Sequence, residues 1–343
     1  MARVVFYCHD TMHNIETIEY YKQDVDALRA LGHDVVVCNR YRDIPQKFDV
    51  IFIWWWTYAL VPVLMARLRR RTAIITGTFN FQYEERAGGT DYFGRPWHQR
   101  LIISLATRLA NANVFVGRKE FEAVPAHFRL QNVFYAPHAV GDDYFTVRDR
   151  SNPRSLLLNL AWSGPENLQR KGIWTILEAA GMLKARGRRF ELVLAGKRGE
   201  AFPLLQQRIV ELGLSDCVRA IGEVTQEEKL NLFARTKIYL QPSYFEGFGL
   251  ATAEAAAAGC CVITTDVGEV RTVIGDGGVY VRPGDAEELA NTIEDLLADD
   301  ALIASVNARV QAHIEGLFSA KAKREIFARI LDALGMRGGG GER

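Results

Sequence analysis

Short apolar runs alternate with amphipathic stretches along most of the chain. The runs are rich in β-branched or aromatic residues and flanked by turn formers, which is typical of buried strands. They lie at residues 4–8, 34–38, 50–53, 73–76 and 114–116, and again at 155–161, 190–195, 218–221, 238–241, 261–264 and 279–281. Helical periods lie between or after them, at residues 15–31, 96–110, 173–186, 202–212, 226–235, 250–258, 286–297, 301–315 and 320–334. This alternation predicts an α/β protein whose parallel sheets carry helices on both faces.

The alternation pauses once, at residues 136–155, where Pro137, Gly141 and Pro153 accompany three aspartates. Such a segment is typical of an interdomain linker. The sequence therefore predicts two successive parallel α/β domains, residues 1–148 and 149–318, with a disordered glycine-rich tail at 337–343. A chain of 343 residues is long enough for each domain to bury its own core.

One uncharged stretch, residues 50–66, is nearly long enough to cross a bilayer. Pro62 and the mixed apolar pattern favour a buried strand, a loop and a short helix instead. That helix runs into a basic cluster, Arg67, Arg69, Arg70 and Arg71. An apolar segment with such an end indicates either a peripheral contact with an anionic membrane or a buried helix with a solvated end. Both interpretations stay open.

The charges nearly cancel, with 42 Lys+Arg against 41 Asp+Glu, which argues against a dedicated nucleic-acid binder. Residues 1–150 are the more basic part, with 19 Lys+Arg against 16 Asp+Glu, while residues 151–318 carry 17 against 22. The five cysteines are scattered and form no CxxC pair, so neither a disulfide framework nor structural zinc is indicated. The apolar run at the N-terminus is too short for a signal peptide. We expect a cytoplasmic location.

The segment at residues 241–255 carries the richest chemistry. Gly247 and Gly249 bracket Phe248 between a predicted strand and a predicted helix that begins at Leu250. Glycines let the backbone approach a ligand, and free amides at a helix start suit a diphosphate. Glu246 and Glu254 flank that helix start, and a carboxylate accepts hydrogen bonds from a diol. The layout fits a nucleotide sugar, which has a diol on each side of its diphosphate.

A second cluster, Arg170, Lys171 and Gly172, opens the helix predicted at residues 173–186. A cation beside a helix start is suited to neutralising a leaving diphosphate. The alternative is a solvated basic helix end. We assign the clamp to Lys171 first and to Arg170 second.

These residues resemble the donor site of the retaining GT-B glycosyltransferases of family 4, the group 1 glycosyltransferases. The signature there is a glutamate, seven residues and a second glutamate, which Glu246 and Glu254 match. Flanking pieces are also similar: Pro242-Ser243, Ala258-Gly259, 193–196 ending at Gly196, 221–224 ending at Val224, and 136–142. The resemblance covers the second domain closely and the first only by architecture.

The resemblance implies two Rossmann-like domains facing a cleft, with a last helix, 319–336, packing back on the first domain. It implies a retaining transfer, without metal or other cofactor, from a nucleoside-diphosphate sugar to an acceptor hydroxyl in glycan, polysaccharide or glycolipid synthesis. The acceptor is a glycan or a lipid-linked molecule. By this analogy Glu246 holds sugar hydroxyls and Glu254 holds ribose. The remaining donor residues are Lys171, Arg170, Gly196, Val224, Gly247, Phe248, Gly249 and Leu250.

The first domain departs from the family pattern. No glycine-rich loop follows the first strand, so His9, Asp10 and His13 become candidates for contacting acceptor or leaving group. Their spacing superficially matches a zinc-protease pattern, but Asp replaces the required Glu and the segment directly follows a strand. No histidine follows the fourth strand, where Asn80 stands, and His98 is a candidate substitute.

Two further features have both a functional and a structural interpretation. Trp54, Trp55 and Trp56 follow the third strand and either stack on an acceptor sugar or pack internally. Asp24 and Asp26 form a DxD pair, but residues two apart on a helix point to different sides, so we discard a metal motif there. Two alternative functions remain: a sugar-nucleotide epimerase of the same fold, and a degenerate protein that binds a nucleotide sugar without catalysis.

Overall fold

A computed structural model describes residues 1–81, 91–147 and 154–336. The chain divides into two compact units, one of Met1–Ala139 with the chain from Phe318 onward, and one of Val140–Leu317. We call them unit 1 and unit 2. Each contains a six-stranded sheet whose strands pair in parallel, so the predicted α/β class is confirmed. The predicted domain boundary at 148–149 and the predicted disordered tail at 337–343 lie outside the described residues.

Unit 1 has the strand order β2-β1-β3-β4-β5-β6. Its strands are Arg3–Cys8 (β1), Asp34–Cys38 (β2), Val50–Trp54 (β3), Thr72–Gly77 (β4), Ala112–Phe115 (β5) and Val133–Tyr135 (β6). Its first helices are Met12–Thr17 (α1), Glu19–Ala30 (α2), Leu60–Leu68 (α3), Trp97–Leu109 (α4) and Arg118–Phe128 (α5). The uncharged stretch at 50–66 forms β3, a 3-10 turn and most of α3, as its pattern predicts. Within the described ranges, no helix has both the length and the hydropathy of a membrane span.

The prediction of one helix over residues 15–31 is wrong. Ile18 has extended backbone angles, φ −79° and ψ 122°, and separates α1 from α2. Its amide donates to the carbonyl of Asn14 at 2.8 Å, which closes α1. The apolar period continues through the break, so the pattern does not reveal it. Strand β6 and helix α5, which contains Pro125, were also missing from the sequence prediction.

Unit 2 has the strand order β12-β11-β10-β7-β8-β9. Its strands are Leu156–Leu160 (β7), Glu191–Ala195 (β8), Val218–Gly222 (β9), Thr236–Gln241 (β10), Cys261–Thr264 (β11) and Val279–Tyr280 (β12). The next helices along the chain are Asp142–Phe145 (α6), Pro165–Arg170 (α7), Ile173–Ala185 (α8), Phe202–Glu211 (α9), Gln226–Arg235 (α10), Leu250–Ala257 (α11), Val270–Ile274 (α12), Ala286–Ala298 (α13) and Asp300–Phe318 (α14). The sequence prediction missed α6, α7 and α12 because four to six residues are too few to show a helical period.

The last helix, Ala320–Ala333 (α15), packs against α2 in unit 1. Ser319 caps it, since its hydroxyl accepts from the amide of Ala322 at 3.2 Å. Lys323 is only 2% exposed. Its ammonium lies 2.6 Å from Asp24 Oδ1 and donates to the carbonyl of Pro137 at 3.0 Å. One buried cation thus joins α15, α2 and the segment after β6.

Each sheet has one point where the strand order reverses. In unit 1 the chain runs from β1 to β2 and then places β3 on the other side of β1. In unit 2 it runs from β7 through β8 and β9 and then places β10 on the other side of β7. Ligands of open α/β sheets bind at the carboxyl ends of the strands beside such switch points. The β1/β3 and β7/β10 switch points therefore locate the places to examine.

Candidate functional site

Lys171 and Glu246 meet at the β7/β10 switch point of unit 2. Lys171 follows α7 in the connection after β7, and Glu246 lies in the connection between β10 and α11. The ammonium of Lys171 forms an ion pair with Glu246 Oε1. The Glu246 residue is 4% exposed, so this contact is largely shielded from water. At the switch point, this pair can offer both an ammonium and a carboxylate to the same ligand.

Backbone hydrogen bonds join the two connections that carry this pair. The amide of Tyr244 donates to the carbonyl of Arg170 at 2.8 Å. The Arg170 guanidinium donates to the carbonyl of Phe245 at 3.1 Å, and to Asn167 Oδ1 at 3.0 and 2.7 Å. It stands 4.0 Å from Glu246 Oε2. Arg170 therefore braces the site against its own loop, which is a different role from a direct diphosphate clamp.

A chain of buried polar side chains fixes the carboxylate of Glu246. Ser243 donates to Glu246 Oε1 at 3.0 Å, and Gln241 donates to Ser243 Oγ at 3.0 Å. Tyr239 in turn donates to Gln241 Oε1 at 2.8 Å. Burial raises the pKa of Tyr239, so its hydroxyl keeps the proton that it donates. Ser243 belongs to the Pro242-Ser243 motif, but no sequence pattern signals its hydrogen bond to Glu246.

Two glycines permit the close backbone approach at this site. Gly172 has φ +71°, and a Cβ there would lie 2.1 Å from the carbonyl oxygen of Pro242. Gly268 has φ +56°, and a Cβ there would lie 1.6 Å from the carbonyl oxygen of Glu246. The next residue, Glu269, donates its amide to the carbonyl of Gly247 at 3.0 Å. The loop after β11 thus holds the backbone of the loop that carries Glu246.

Helix α11 begins four residues after Glu246, at Leu250. Gly249 precedes it with φ +81°, and in the part of the chain that the structure describes no side chain caps its first turn. Its first amides, from Leu250 onward, therefore make a site suited to an anion. Gly247 is exposed, and the space where its Cβ would point is open. Phe248 is half-buried beside it.

Glu254 lies one helical turn further along α11 and is 5% exposed. Lys229, from α10, lies 3.2 Å from Glu254 Oε2 and 5.0 Å from the centre of the Tyr144 ring. Burial, reinforced by the charge of Glu254, raises the pKa of Tyr144. Lys229 and Tyr144 come from distant parts of the sequence, so no local pattern revealed them.

The other two predicted donor residues follow strands β8 and β9. Gly196 directly follows β8 and has φ +134°, and a Cβ there would lie 2.3 Å from the carbonyl oxygen of Ala161. Val224 lies in the turn between β9 and α10 and is half-buried. Both strands are on the β7 side of the sheet, next to one another.

At the β1/β3 switch point of unit 1, Asp10 is held by several donors. Tyr21 donates to Asp10 Oδ2 at 3.1 Å, and Asn14 donates to Oδ1 at 2.8 Å. The indole of Trp55, after β3, donates to the Tyr21 hydroxyl at 2.7 Å. Trp55 has φ +81°, which is rare for a bulky residue and places its ring at this edge.

The remaining candidates in unit 1 are dispersed. His9 is exposed, and its ring centre lies 4.0 Å from that of Tyr58. His13 is exposed in the first turn of α1, and His98 is exposed in the first turn of α4. Asn80 follows β4, has φ +57°, and donates its amide to Glu120 Oε1 at 2.6 Å. The switch point brings together His9 and Asp10, whereas Asn80 and His98 belong to other connections.

The three tryptophans and the DxD pair have separate environments. Trp54 and Trp56 are buried, with Trp54 donating to Asp24 Oδ2 at 2.8 Å and Trp56 donating to the carbonyl of Gly77 at 3.2 Å. Trp55 alone of the three is half-exposed. Asp24 is 1% exposed whereas Asp26 is exposed, so the two carboxylates point to different sides of α2 as expected.

Comparisons with known proteins find similarity to glycosyltransferases. Residues 166–312 match the family model described as "Glycosyl transferases group 1". The O-antigen chain mannosyltransferase B of Escherichia coli is 34% identical over 134 residues, which are 38% of this chain and 35% of that protein. The D-inositol 3-phosphate glycosyltransferase of Paenarthrobacter aurescens is 30% identical over 215 residues, which are 59% of this chain and 51% of that protein. The chain thus spans between about a third and a half of the length of these curated relatives.

Solved structures match over nearly the whole chain. HepE of Anabaena, in complex with UDP, superimposes with a TM-score of 0.74 at 16% identity, covering 96% of this chain and 100% of that one. Sucrose-phosphate synthase of Thermosynechococcus elongatus gives 0.72 at 17% identity, covering 97% and 99%. At these identities the likeness shows the fold, the GT-B fold of two α/β domains. The sequence match to the group 1 glycosyltransferase family model thus covers residues 166–312, while the likeness in fold extends over nearly the whole chain.

Proposed function

We propose that this protein transfers a sugar from a nucleoside-diphosphate sugar to an acceptor hydroxyl. The observation that carries the proposal is the Lys171–Glu246 pair beside the uncapped start of α11 at the β7/β10 switch point. The matched segment, residues 166–312, includes all of these residues. The names of the relatives support the reaction class, since they describe transfer of mannose or of a sugar to inositol phosphate. The UDP complex of a structural neighbour supports a donor that is bound through its nucleotide.

The donor's parts fit different groups of unit 2. The amides from Phe248 to Leu250 and the Lys171 ammonium suit the diphosphate, because both carry positive charge or its dipole equivalent. Glu246 suits hydroxyls of the transferred sugar, and Glu254 suits the ribose diol. Gly196 and Val224 follow the adjacent strands β8 and β9, and we assign them to the nucleoside side. Arg170 supports this arrangement by holding the loop at Phe245.

We infer a retaining reaction that needs no metal or other cofactor. As the bond to the sugar breaks, negative charge develops on the leaving diphosphate. Lys171 and the helix start stabilise that charge electrostatically, which is the contribution that a divalent cation makes in other sites. In a retaining reaction the acceptor hydroxyl attacks from the face that the diphosphate leaves, and a diphosphate oxygen takes its proton.

For the acceptor we propose the β1/β3 switch point of unit 1. The firmly held carboxylate of Asp10 and the rings of His9 and Trp55 offer hydrogen bonding and stacking to a sugar or polyol. His13, Asn80 and His98 remain predictions for contacts further out. A glycan or lipid-linked acceptor and a cytoplasmic location, with the inner membrane face as a place of work, complete the proposal.

The test starts with ligand binding and ends with product analysis. Nucleoside diphosphates of uracil, guanine, adenine, cytosine and thymine are screened for a rise in melting temperature, since a ligand that binds only the folded state stabilises it. The sugars of the base that binds are then incubated with glycan and glycolipid acceptors. We expect a new glycosidic product. Isomerised nucleotide sugar without acceptor would mark an epimerase, and binding without any turnover would mark a binding protein; either result would replace the proposal.

A further inference from the structure

Helices α3 and α4 present apolar side chains outward from unit 1. They pack against each other on the same face of the sheet, with Val63 and Ala66 of α3 and Ile103 and Ala106 of α4 in one buried cluster. Because both inner faces point at the sheet, both outer faces point away from it. The large apolar residues exposed on these outer faces are Val61, Leu64, Leu68, Trp97, Leu101 and Leu105. We call these six residues the α3/α4 face.

The spacing and exposure of these residues make the face continuous. Val61, Leu64 and Leu68 are three and four residues apart, so they share one side of α3. Trp97, Leu101 and Leu105 are four apart on α4. Leu68 is 86% exposed and Trp97 is 71% exposed. A contiguous apolar patch with a polar rim is typical of an interaction site.

The charged residues of α3 and α4 are all arginines. Residues 50–81 and 92–110 contain seven arginines and no aspartate, glutamate or lysine. Arg67 donates to the carbonyl of Leu109 at 2.8 Å and so ties the end of α3 to the end of α4. Arg69 donates to the carbonyl of Pro45 at 3.2 Å, and Arg71 lies 3.3 Å from Asp49. Arg70 and Arg108 are exposed at the same ends of the two helices.

We propose that the α3/α4 face docks on an anionic lipid bilayer. An apolar helical face with a tryptophan and an arginine rim is the composition that lies in a membrane interface. The arginines complement anionic headgroups, while the apolar residues enter the region below them. A second copy of this chain fits less well, because a symmetric pairing would bring the same arginines together. The proposed membrane-binding surface therefore consists of the arginine cluster seen in the sequence together with the apolar residues of both helices.

The test is co-sedimentation of the full chain with vesicles of phosphatidylglycerol and phosphatidylcholine, compared with phosphatidylcholine alone. We expect binding to the mixed vesicles, weakened by added salt. The double variant Leu68→Glu with Trp97→Ala should lower the bound fraction about tenfold, because it removes the two most exposed apolar anchors. Both residues are largely exposed, so the variant should fold, and its melting temperature checks this.

A matched control distinguishes binding through this surface from nonspecific binding through any exposed apolar residue. Leu204, in α9 of unit 2, is 53% exposed, and Leu204→Glu should leave vesicle binding unchanged. Light scattering measures the mass of each variant in solution. Absence of binding to anionic vesicles, equal loss in both variants, or a change of mass without a change in vesicle binding would overturn the proposal. None of these outcomes depends on donor turnover, so the test is independent of the proposed reaction.

Discussion

Lys171 and Glu246 are 75 residues apart in the sequence, yet their side chains form an ion pair at the carboxyl edge of one sheet. The pairing follows from strand order, because β10 returns to lie beside β7 and brings its loop next to the α7–α8 junction. The cation is suited to the diphosphate and the acid to the sugar. The two halves of the proposed donor site can therefore be tested separately.

Glu246→Gln should separate turnover from nucleotide binding. The amide keeps the size of the side chain but loses the charge that holds sugar hydroxyls and pairs with Lys171. We expect the turnover of the donor to fall by about 10²-fold or more, a loss typical of removing one electrostatic contact of the transition state. The affinity for the nucleoside diphosphate alone should change by less than about threefold, because the proposal places the diphosphate on Lys171 and the α11 amides rather than on Glu246.

The control for this variant is Glu166→Gln, an exposed acid in the neighbouring helix α7. Its turnover should equal that of the unmodified protein. Normal turnover in Glu246→Gln, or an equal loss in both variants, would contradict the role assigned to Glu246.

Gly268→Ala should disturb the site through the backbone of Glu246. The new Cβ would lie 1.6 Å from the Glu246 carbonyl oxygen, so the loop must move. Gly213→Ala is the matched control, since Gly213 also has a positive φ, +64°, but has open space around it. We expect Gly213→Ala to cost about 1 kcal/mol of unfolding free energy from strain alone, and Gly268→Ala to cost at least about twice that. Diphosphate affinity should fall only for Gly268→Ala; equal behaviour of the two variants would refute the close approach.

Lys323→Met should destabilise unit 1. It leaves the carboxylate of Asp24, which is 1% exposed, without its cation, and breaking a buried pair in this way costs about 3–5 kcal/mol. Adding Asp24→Asn should restore part of the loss, because the amide is neutral and its oxygen still accepts from Trp54. Lys321→Met, an exposed position on the same helix, should change stability by less than about 0.5 kcal/mol. Chemical denaturation measures all three, and additive losses in the double variant would argue against the pair.

The stability of unit 1 should depend on pH through His138. Burial, with the nearby charge of Lys323, lowers the pKa of this imidazole from 6.5 to about 3. The folded protein keeps His138 neutral, whereas the unfolded chain takes up a proton below about pH 6.5. Stability is therefore lost as the pH falls from about 6.5 towards 3, by about 1.4 kcal/mol per pH unit.

His138→Asn should remove this part of the pH dependence, since Asn has no proton to gain and can still accept from Gln23. His98→Asn, at an exposed position in α4, should leave the slope as it is. Urea unfolding at several pH values between 7.5 and 5 measures both. A slope that persists unchanged in His138→Asn would show that the acid sensitivity has another source.

The sequence predicts most of the architecture because the apolar spacing that marks a strand or a helix is set by residues that are close together in the chain. It also singles out Lys171 and Glu246, which stand beside Gly172 and Gly247, and Glu254, eight residues after Glu246, as candidate site residues. Contacts made through sheet order are different: Lys229 reaches Glu254, and Tyr239 supports Glu246 through Gln241 and Ser243, without any spacing that signals it. Short helices such as α7 and α12 escape detection for the same physical reason, because their stability comes from packing rather than from a periodic pattern.

The central claim is that Lys171 and the start of α11 hold a nucleoside diphosphate. Calorimetric titration tests this most directly. The nucleoside diphosphate that raises the melting temperature in the screen is titrated into the unmodified protein and into Lys171→Met. We predict a dissociation constant in the micromolar range that rises at least about tenfold in Lys171→Met, because a charge-assisted contact to phosphate is lost. Equal affinity in the two proteins, or no binding of any nucleoside diphosphate to the unmodified chain, would contradict the account.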